Sequence, residues 1–357
     1  MNLLSNKNIN WINAAKAICI IAVFFVHCES YYGFVFPIPD ALIHPFYVNG
    51  FFFVSGYLLF WKQLSSPRID EKPKQFLNNS GGGKTLTLNI LFRIVLPSVL
   101  FAMIEFFPKK IIKGEAVGLK PFLLETLGGC TYWFTSALAV AELLFLLLLI
   151  TRKKSIWFYV VVAIALTSLG DLLVTKKVEI IAGSSSFPWQ YKHGLICMIY
   201  LAAGGVYWKY ESWFKKLMKR WVLVVLLAVF VILSIRFEKY LYQGYMVSMC
   251  LTHPLGVGFG IFASVLLVEL CKLLPQWKPL TFIGQNSIGF YFMSGALPIT
   301  FSVIAHKLVA AASPFVMLMV WIACLVTAYV AVWLINKWLP WLFDLRIMKR
   351  VRKKETL

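Results

Sequence analysis

Acidic side chains are scarce in this sequence: 15 Asp and Glu stand against 35 Lys and Arg, and charged residues of both signs make up only 14% of the 357 residues. Soluble domains carry about a quarter charged residues, so this share excludes an ordinary water-exposed surface. A C-x-x-C pair is also missing. The seven cysteines, at positions 19, 28, 130, 197, 250, 271 and 324, fall mostly in or beside apolar segments. That spacing argues against zinc or haem; no metal is expected, and the thiols read as small apolar packing groups. The first apolar run lacks a small-residue cleavage motif after it, so it is expected to stay as a membrane helix rather than leave as a signal peptide.

What is abundant points the same way. Hydrophobic residues make up 60% of the chain, aromatics 16%, and the mean hydropathy is +0.77. This is the composition of a polytopic membrane protein. The 13 Trp and 15 Tyr suit the headgroup boundary, where indole and phenol rings concentrate. A net charge of +20 in a soluble chain would suggest nucleic acid, but here the basic residues lie mostly in short loops between apolar segments. Membrane lipid, not nucleic acid, is the expected surface partner.

Apolar runs near twenty residues predict ten membrane helices at about 10–29, 45–61, 86–107, 132–150, 156–174, 191–208, 221–237, 247–274, 287–306 and 315–338. The expected fold is an all-α bundle forming a single transmembrane domain over 1–357. With the N-terminus inside, the cytoplasmic segments hold 22 Lys and Arg against nine outside, which predicts that both termini are cytoplasmic. The longest polar stretch is then a cytoplasmic loop at 62–85. Its NNSGGGKT lacks the first glycine of a phosphate-binding loop, because Asn78 stands there, and no buried strand precedes it; it reads as a flexible connection. The basic tail at 339–357, rich in Lys and Arg from Arg346 to Lys354, suits anionic lipid.

Ionisable groups inside such spans are costly and mark sites. Lys16 and His27 sit in one of them, eleven residues apart, which returns an α-helix to within about 20° and separates the two by roughly 16 Å, half the hydrocarbon core. One face therefore carries a cation near one membrane surface and an imidazole near the other. Arg93 lies at a similar depth to Lys16 on the cytoplasmic side. The two either snorkel separately or share a pocket, and a shared pocket would suit a nucleotide-like anion. On the outer side His27, Glu29, Glu105 and Asp171 share a layer. Glu29 points about 200° away from His27, so Glu105 is the better candidate to orient the imidazole. Further polar groups inside spans include Asn49, Ser55, Thr135, Ser136, Glu142, Lys192, His193, His253, Glu269, Asn286, Tyr291 and Ser294. Many of these are expected only to satisfy neighbouring helices.

Five segments in order resemble acyltransferase family 3, especially its polysaccharide and fucose O-acetylase-like branch. They are INAAKAICIIAVFFVH, in which Lys16 precedes His27 by eleven positions; FFFVSGYLL at Phe51 to Leu59; Arg93 in LFRIVLP; TYWFTSALAVAELL, which holds Trp133; and IGQNSIGFYFMS, which holds Ser287 and Tyr291. The chain departs from the family pattern in having Lys16 for the more widespread Arg, Asn13 where Asp is common, Ser294 in place of a His, and Leu138 where some members have a Glu.

The resemblance implies a membrane O-acyltransferase in a bacterial cytoplasmic (inner) membrane. It would move an acyl group, acetyl in first place and succinyl as the other candidate, from cytoplasmic acyl-CoA to a hydroxyl of an extracytoplasmic glycan or lipid-linked saccharide. In that scheme Lys16 and Arg93 bind CoA phosphates, His27 is base or acyl carrier with Glu105 beside it, and Glu29, Ser55, Trp133, Ser287 and Tyr291 support substrate or structure. A transporter or exporter of a glycan or small anion is the alternative, since ten helices with buried charges and Gly/Pro-interrupted spans are also transporter-like. A non-catalytic carbohydrate-binding component is a third reading. The second half contains no counterpart of KAICIIAVFFVH, which disfavours inverted repeats.

Overall fold

The computed structural model describes residues 7–64, 72–78, 81–181, 187–241, 254–309 and 312–345. Cys250, His253, the start of the expected span at 247–274, parts of the loop at 62–85 and the basic tail from 346 onward lie outside the described residues. The order of helices is α1 (Lys7–Tyr32), α2 (Pro37–Ile43), α3 (Asn49–Leu64), α4 (Pro73–Asn78), α5 (Gly83–Ile90), α6 (Leu96–Lys113), α7 (Leu119–Thr126), α8 (Trp133–Ile150) and α9 (Ile156–Thr175). It continues with α10 (Tyr191–Ile196), α11 (Met198–Lys209), α12 (Glu211–Leu217), α13 (Arg220–Leu241), α14 (Pro254–Leu273), α15 (Lys278–Gln285), α16 (Ser287–Leu308) and α17 (Pro314–Trp338). The protein is an all-α polytopic membrane protein.

Among the described residues, seven helices are long and apolar enough to cross a membrane, and an eighth span arises if the pair Glu211–Leu217 and Arg220–Arg236, bent by 91°, counts as one. The remaining two of the ten expected spans fall on α3, which has only 16 residues, and on α10 and α11, which break at Cys197. The span that begins at Gly83 also changes character midway: α5 passes into a π-helical turn over Leu91–Val95 before α6. Pro97 explains it, because proline has no N–H for the carbonyl of Arg93 four residues earlier and its ring crowds that carbonyl.

Apolar stripes on the outer helices face away from the protein. Along α17, Phe315, Met319, Ile322, Val326, Val330 and Trp333 are exposed at helical spacing, while Met317, Val320, Cys324, Ala328 and Val332 are buried. A water-soluble protein would reverse that pattern; a lipid-facing helix requires it. The core forms around α1, which packs against α3, α14, α15, α16 and α17. Ala14, Ala15, Ala17, Cys19 and Ala22 keep much of α1 thin enough for five neighbours, and a side chain at Gly284 of α15 would overlap the Asn13 backbone. The α3 and α11 helices cross closely by a reciprocal device: a Cβ at Gly56 would collide with the Leu201 carbonyl, and one at Gly204 with the Phe53 carbonyl. Close backbone approach at small residues is the usual way helices associate in lipid.

Candidate active site

Residues from five α-helices and the π-helical turn surround a pocket of about 160 Å³ at the Lys16 end of α1. Lys16 of α1, Ser55 and Lys62 of α3, Arg93 of the π-helical turn, Glu142 of α8 and Ser287 at the start of α16 line it. Lys16 and Arg93 thus share a pocket, and Lys62 adds a third cation. Glu142 is the counter-charge: it accepts a hydrogen bond from Ser55 and its field acts on all three cations. The Arg93 guanidinium also pairs with Asp344, 3.7 Å away, in the segment following α17. That segment is anchored by a ring stack in which Phe101 of α6 lies between Phe292 of α16 and Phe343, with centroids 4.6 and 5.5 Å apart. Three cations against Glu142 and the more distant Asp344 leave a pocket suited to a multiply charged anion.

At the other end of α1, half-buried His27 lines two cavities. The larger, about 340 Å³, is walled by Val23, His44, Tyr47, Phe51, Phe134 and Trp133. The smaller, about 240 Å³, is walled by Glu105, Lys109, Thr131, Tyr132 and Ser294. His27, Ser30, Trp133 and Tyr291 belong to both, so the imidazole stands where the two meet. Phe51 and Phe134, whose rings are 5.1 Å apart, line both the larger cavity and the basic pocket, and so form the partition between the two ends. Tyr291 fixes that wall by accepting a hydrogen bond from the Phe134 amide at 3.2 Å.

The contact that orients His27 comes from backbone. Its Nδ1 lies 2.6 Å from the Ser294 carbonyl oxygen on α16. A carbonyl can only accept, so the ring proton sits on Nδ1 and Nε2 is the basic atom of the neutral imidazole. Glu105 lines the smaller cavity with His27, yet its carboxylate accepts from the Tyr132 hydroxyl, and the position next to Nδ1 belongs to Ser294. Glu29 faces away, as the helical angle requires. It is buried, its Oε1 accepts from the Phe36 amide at 2.6 Å, and it secures the turn into α2. Asp171 is buried on α9 and lines neither cavity.

Ser55 and Ser287 therefore belong to the basic pocket, and Trp133 and Tyr291 to the histidine cavities. Glu142, Lys62 and His44 escaped the expected site. Glu142 was within reach: it lies one helical turn after Leu138, the position that carries a Glu in part of the resembled family, and so shares its face. His44 faces the larger cavity with its Nδ1 3.1 Å from the Asp40 carboxylate, a pairing made within one short helix and its end. Among the described residues no group of three or more His, Cys, Asp or Glu side chains could hold a metal.

A family model described as an acyltransferase domain matches residues 9–344. No curated protein and no solved structure matches the chain.

Proposed function

The chain belongs to acyltransferase family 3, whose model spans nearly all of it, and from that premise we propose that it is an O-acyltransferase drawing acetyl groups from cytoplasmic acetyl-CoA and placing them on a hydroxyl of an extracytoplasmic glycan or lipid-linked saccharide. The observation that carries this reading is the position of His27 at the meeting of two cavities, one of which shares the Phe51 and Phe134 wall with the basic pocket.

CoA carries several phosphate groups on its nucleotide end, and Lys16, Lys62 and Arg93 are the groups that would hold them. The pantetheine arm would pass the Phe51 and Phe134 rings and bring the thioester to His27 from the larger cavity. The smaller cavity, with Glu105, Thr131 and the indole of Trp133, offers the carboxylate, hydroxyl and aromatic face that suit a sugar ring. His27 Nε2 takes the proton of the sugar hydroxyl as that oxygen attacks the thioester carbonyl carbon. The carbon–sulfur bond then breaks, and the departing thiolate receives the proton back from the imidazolium. Two cavities flanking one base favour direct transfer with both substrates present over a covalent acyl-histidine, because neither substrate need leave before the other enters.

The deciding experiment uses purified full-length protein, radiolabelled acetyl-CoA and a panel of methyl hexosides as acceptors. His27→Ala is expected to lose at least a hundredfold in transfer while retaining CoA binding. A folded His27→Ala protein with full acetyl transfer would refute the assignment.

A further inference from the structure

The hydrogen bond that orients His27 uses an acceptor that an intact helix would share with a backbone amide. Ser294 lies inside α16, where its carbonyl would ordinarily receive the amide of residue 298. Residue 298 is proline, buried within the same continuous helix, and has no N–H to give. The Ser294 hydroxyl cannot take over, because a hydroxyl supplies its single proton elsewhere: Oγ donates to the Tyr291 carbonyl at 2.8 Å. The released carbonyl is the one found 2.6 Å from His27 Nδ1. Proline four residues after the acceptor, and histidine on the neighbouring helix at the same level, form one device.

We propose that Pro298 is a positioning residue for acyl transfer: by withholding a backbone N–H it reserves the Ser294 carbonyl for His27 and holds the imidazole in the tautomer whose Nε2 is the base. This rests on the proposed role of His27. It also accounts for the tolerance of serine at position 294, since only the backbone of that residue is used. A carbonyl that is already accepting a helical amide is a weaker and differently aimed partner. With the competitor restored, His27 would divide between its two tautomers, and only the fraction bearing the proton on Nδ1 could act as base through Nε2.

The test compares two replacements in the full-length protein. Pro298→Ala restores the amide, whereas lactic acid incorporated at position 298 gives the same methyl side chain with an ester oxygen in place of N–H. Nitrogen NMR of isotope-labelled histidine, assigned by difference against His27→Gln, reads the tautomer directly. Acetyl transfer from radiolabelled acetyl-CoA to methyl hexosides reads kcat and KM. The alanine variant is expected to show a mixed tautomer and a kcat lowered about two- to fivefold, in proportion to the lost Nδ1–H fraction, with KM for acetyl-CoA within about twofold. The lactic acid variant is expected to restore both the single tautomer and kcat. An alanine variant with an unshifted tautomer would overturn the proposal, as would a lactic acid variant as impaired as alanine, since the ring of proline would then be what matters. If alanine prevents folding, the lactic acid variant still decides by comparison with the unaltered protein: a lost Nδ1–H signal or lost kcat counts against the proposal, and retention of both supports it. Full activity in His27→Ala would refute the proposed function while leaving the tautomer measurement standing.

Discussion

Replacing Glu142 with Gln isolates the electrostatic claim made for the basic pocket. Glu142 is the carboxylate among the residues that line it, facing Lys16, Lys62 and Arg93. If phosphates occupy that pocket, Glu142 repels them while it supports the cations in their absence, so its neutralisation should move two observables in opposite directions. Across a pocket of about 160 Å³, charges stand on the order of 7 Å apart, where one pair of unit charges is worth roughly 2 kcal/mol at an effective dielectric near 20. Solvent and salt at an open pocket reduce this to about 1 kcal/mol. CoA should therefore bind Glu142→Gln about five- to tenfold more tightly by isothermal titration, and the gain should shrink as ionic strength rises. The ligand-free variant should melt at a lower temperature than the unaltered protein, because Lys16 and Lys62 have lost the carboxylate that faces them, and the rise in melting temperature on adding CoA should be larger. Weaker or unchanged CoA binding would refute the reasoning: Glu142 would then be positioning the lysines instead of competing with phosphate.

The partition and the helix crossing give two further tests. Phe51→Ala removes one of the two rings between the basic pocket and the larger cavity. The kcat/KM ratio for butyryl-CoA over acetyl-CoA should rise about tenfold, the usual worth of accommodating extra methylenes, and an unchanged ratio in a folded variant would show that the rings do not gauge the acyl group. Gly56→Ala drives a methyl into the Leu201 carbonyl, and two backbones must separate to admit it. The cost should be about 3 kcal/mol or more, seen as a large drop in detergent thermal stability or loss of folded protein; a melting temperature within a degree or two of the original would contradict the packing described.

Much of the architecture follows from local apolar runs, because a membrane span must satisfy its own backbone and therefore announces itself by length. The spans that ran short or broken are those whose companions supply the burial: α3 leans on α11 through Gly56 and Gly204, and α10 stops at Cys197. Lys16 and His27 were legible as a pair because an eleven-residue interval is itself a helical repeat, and α1 runs unbroken through both. The partner of His27 was not legible from side-chain types. A search for a carboxylate leads to Glu105, whereas the atom at Nδ1 is a main-chain oxygen from a helix 267 residues away in sequence. Glu142 is hidden for a different reason: it shares the face of Leu138 but stands one helical turn later, outside the linear motif.

Two prolines stand four residues after the backbone groups on which the candidate site depends, and they solve opposite problems. At Pro97 the carbonyl left without its amide belongs to Arg93, and the ladder answers by widening into a π-helical turn at the mouth of the basic pocket. At Pro298 the helix continues, so the carbonyl of Ser294 stays in place and finds a side-chain donor on another helix. The difference lies in the neighbours. The side chain of Arg93 is more than half exposed and pairs with Asp344 in the segment after α17, which leaves room for the backbone to swell. Ser294 is buried between α1 and the body of the protein, where swelling would cost packed contacts and an unpaired carbonyl would cost more than a hydrogen bond. The same deletion of one N–H therefore yields local plasticity at the charged end and a fixed acceptor at the histidine end. Under the proposed function, a pocket that admits and releases CoA would gain from the first, and a histidine acting as base would need the second.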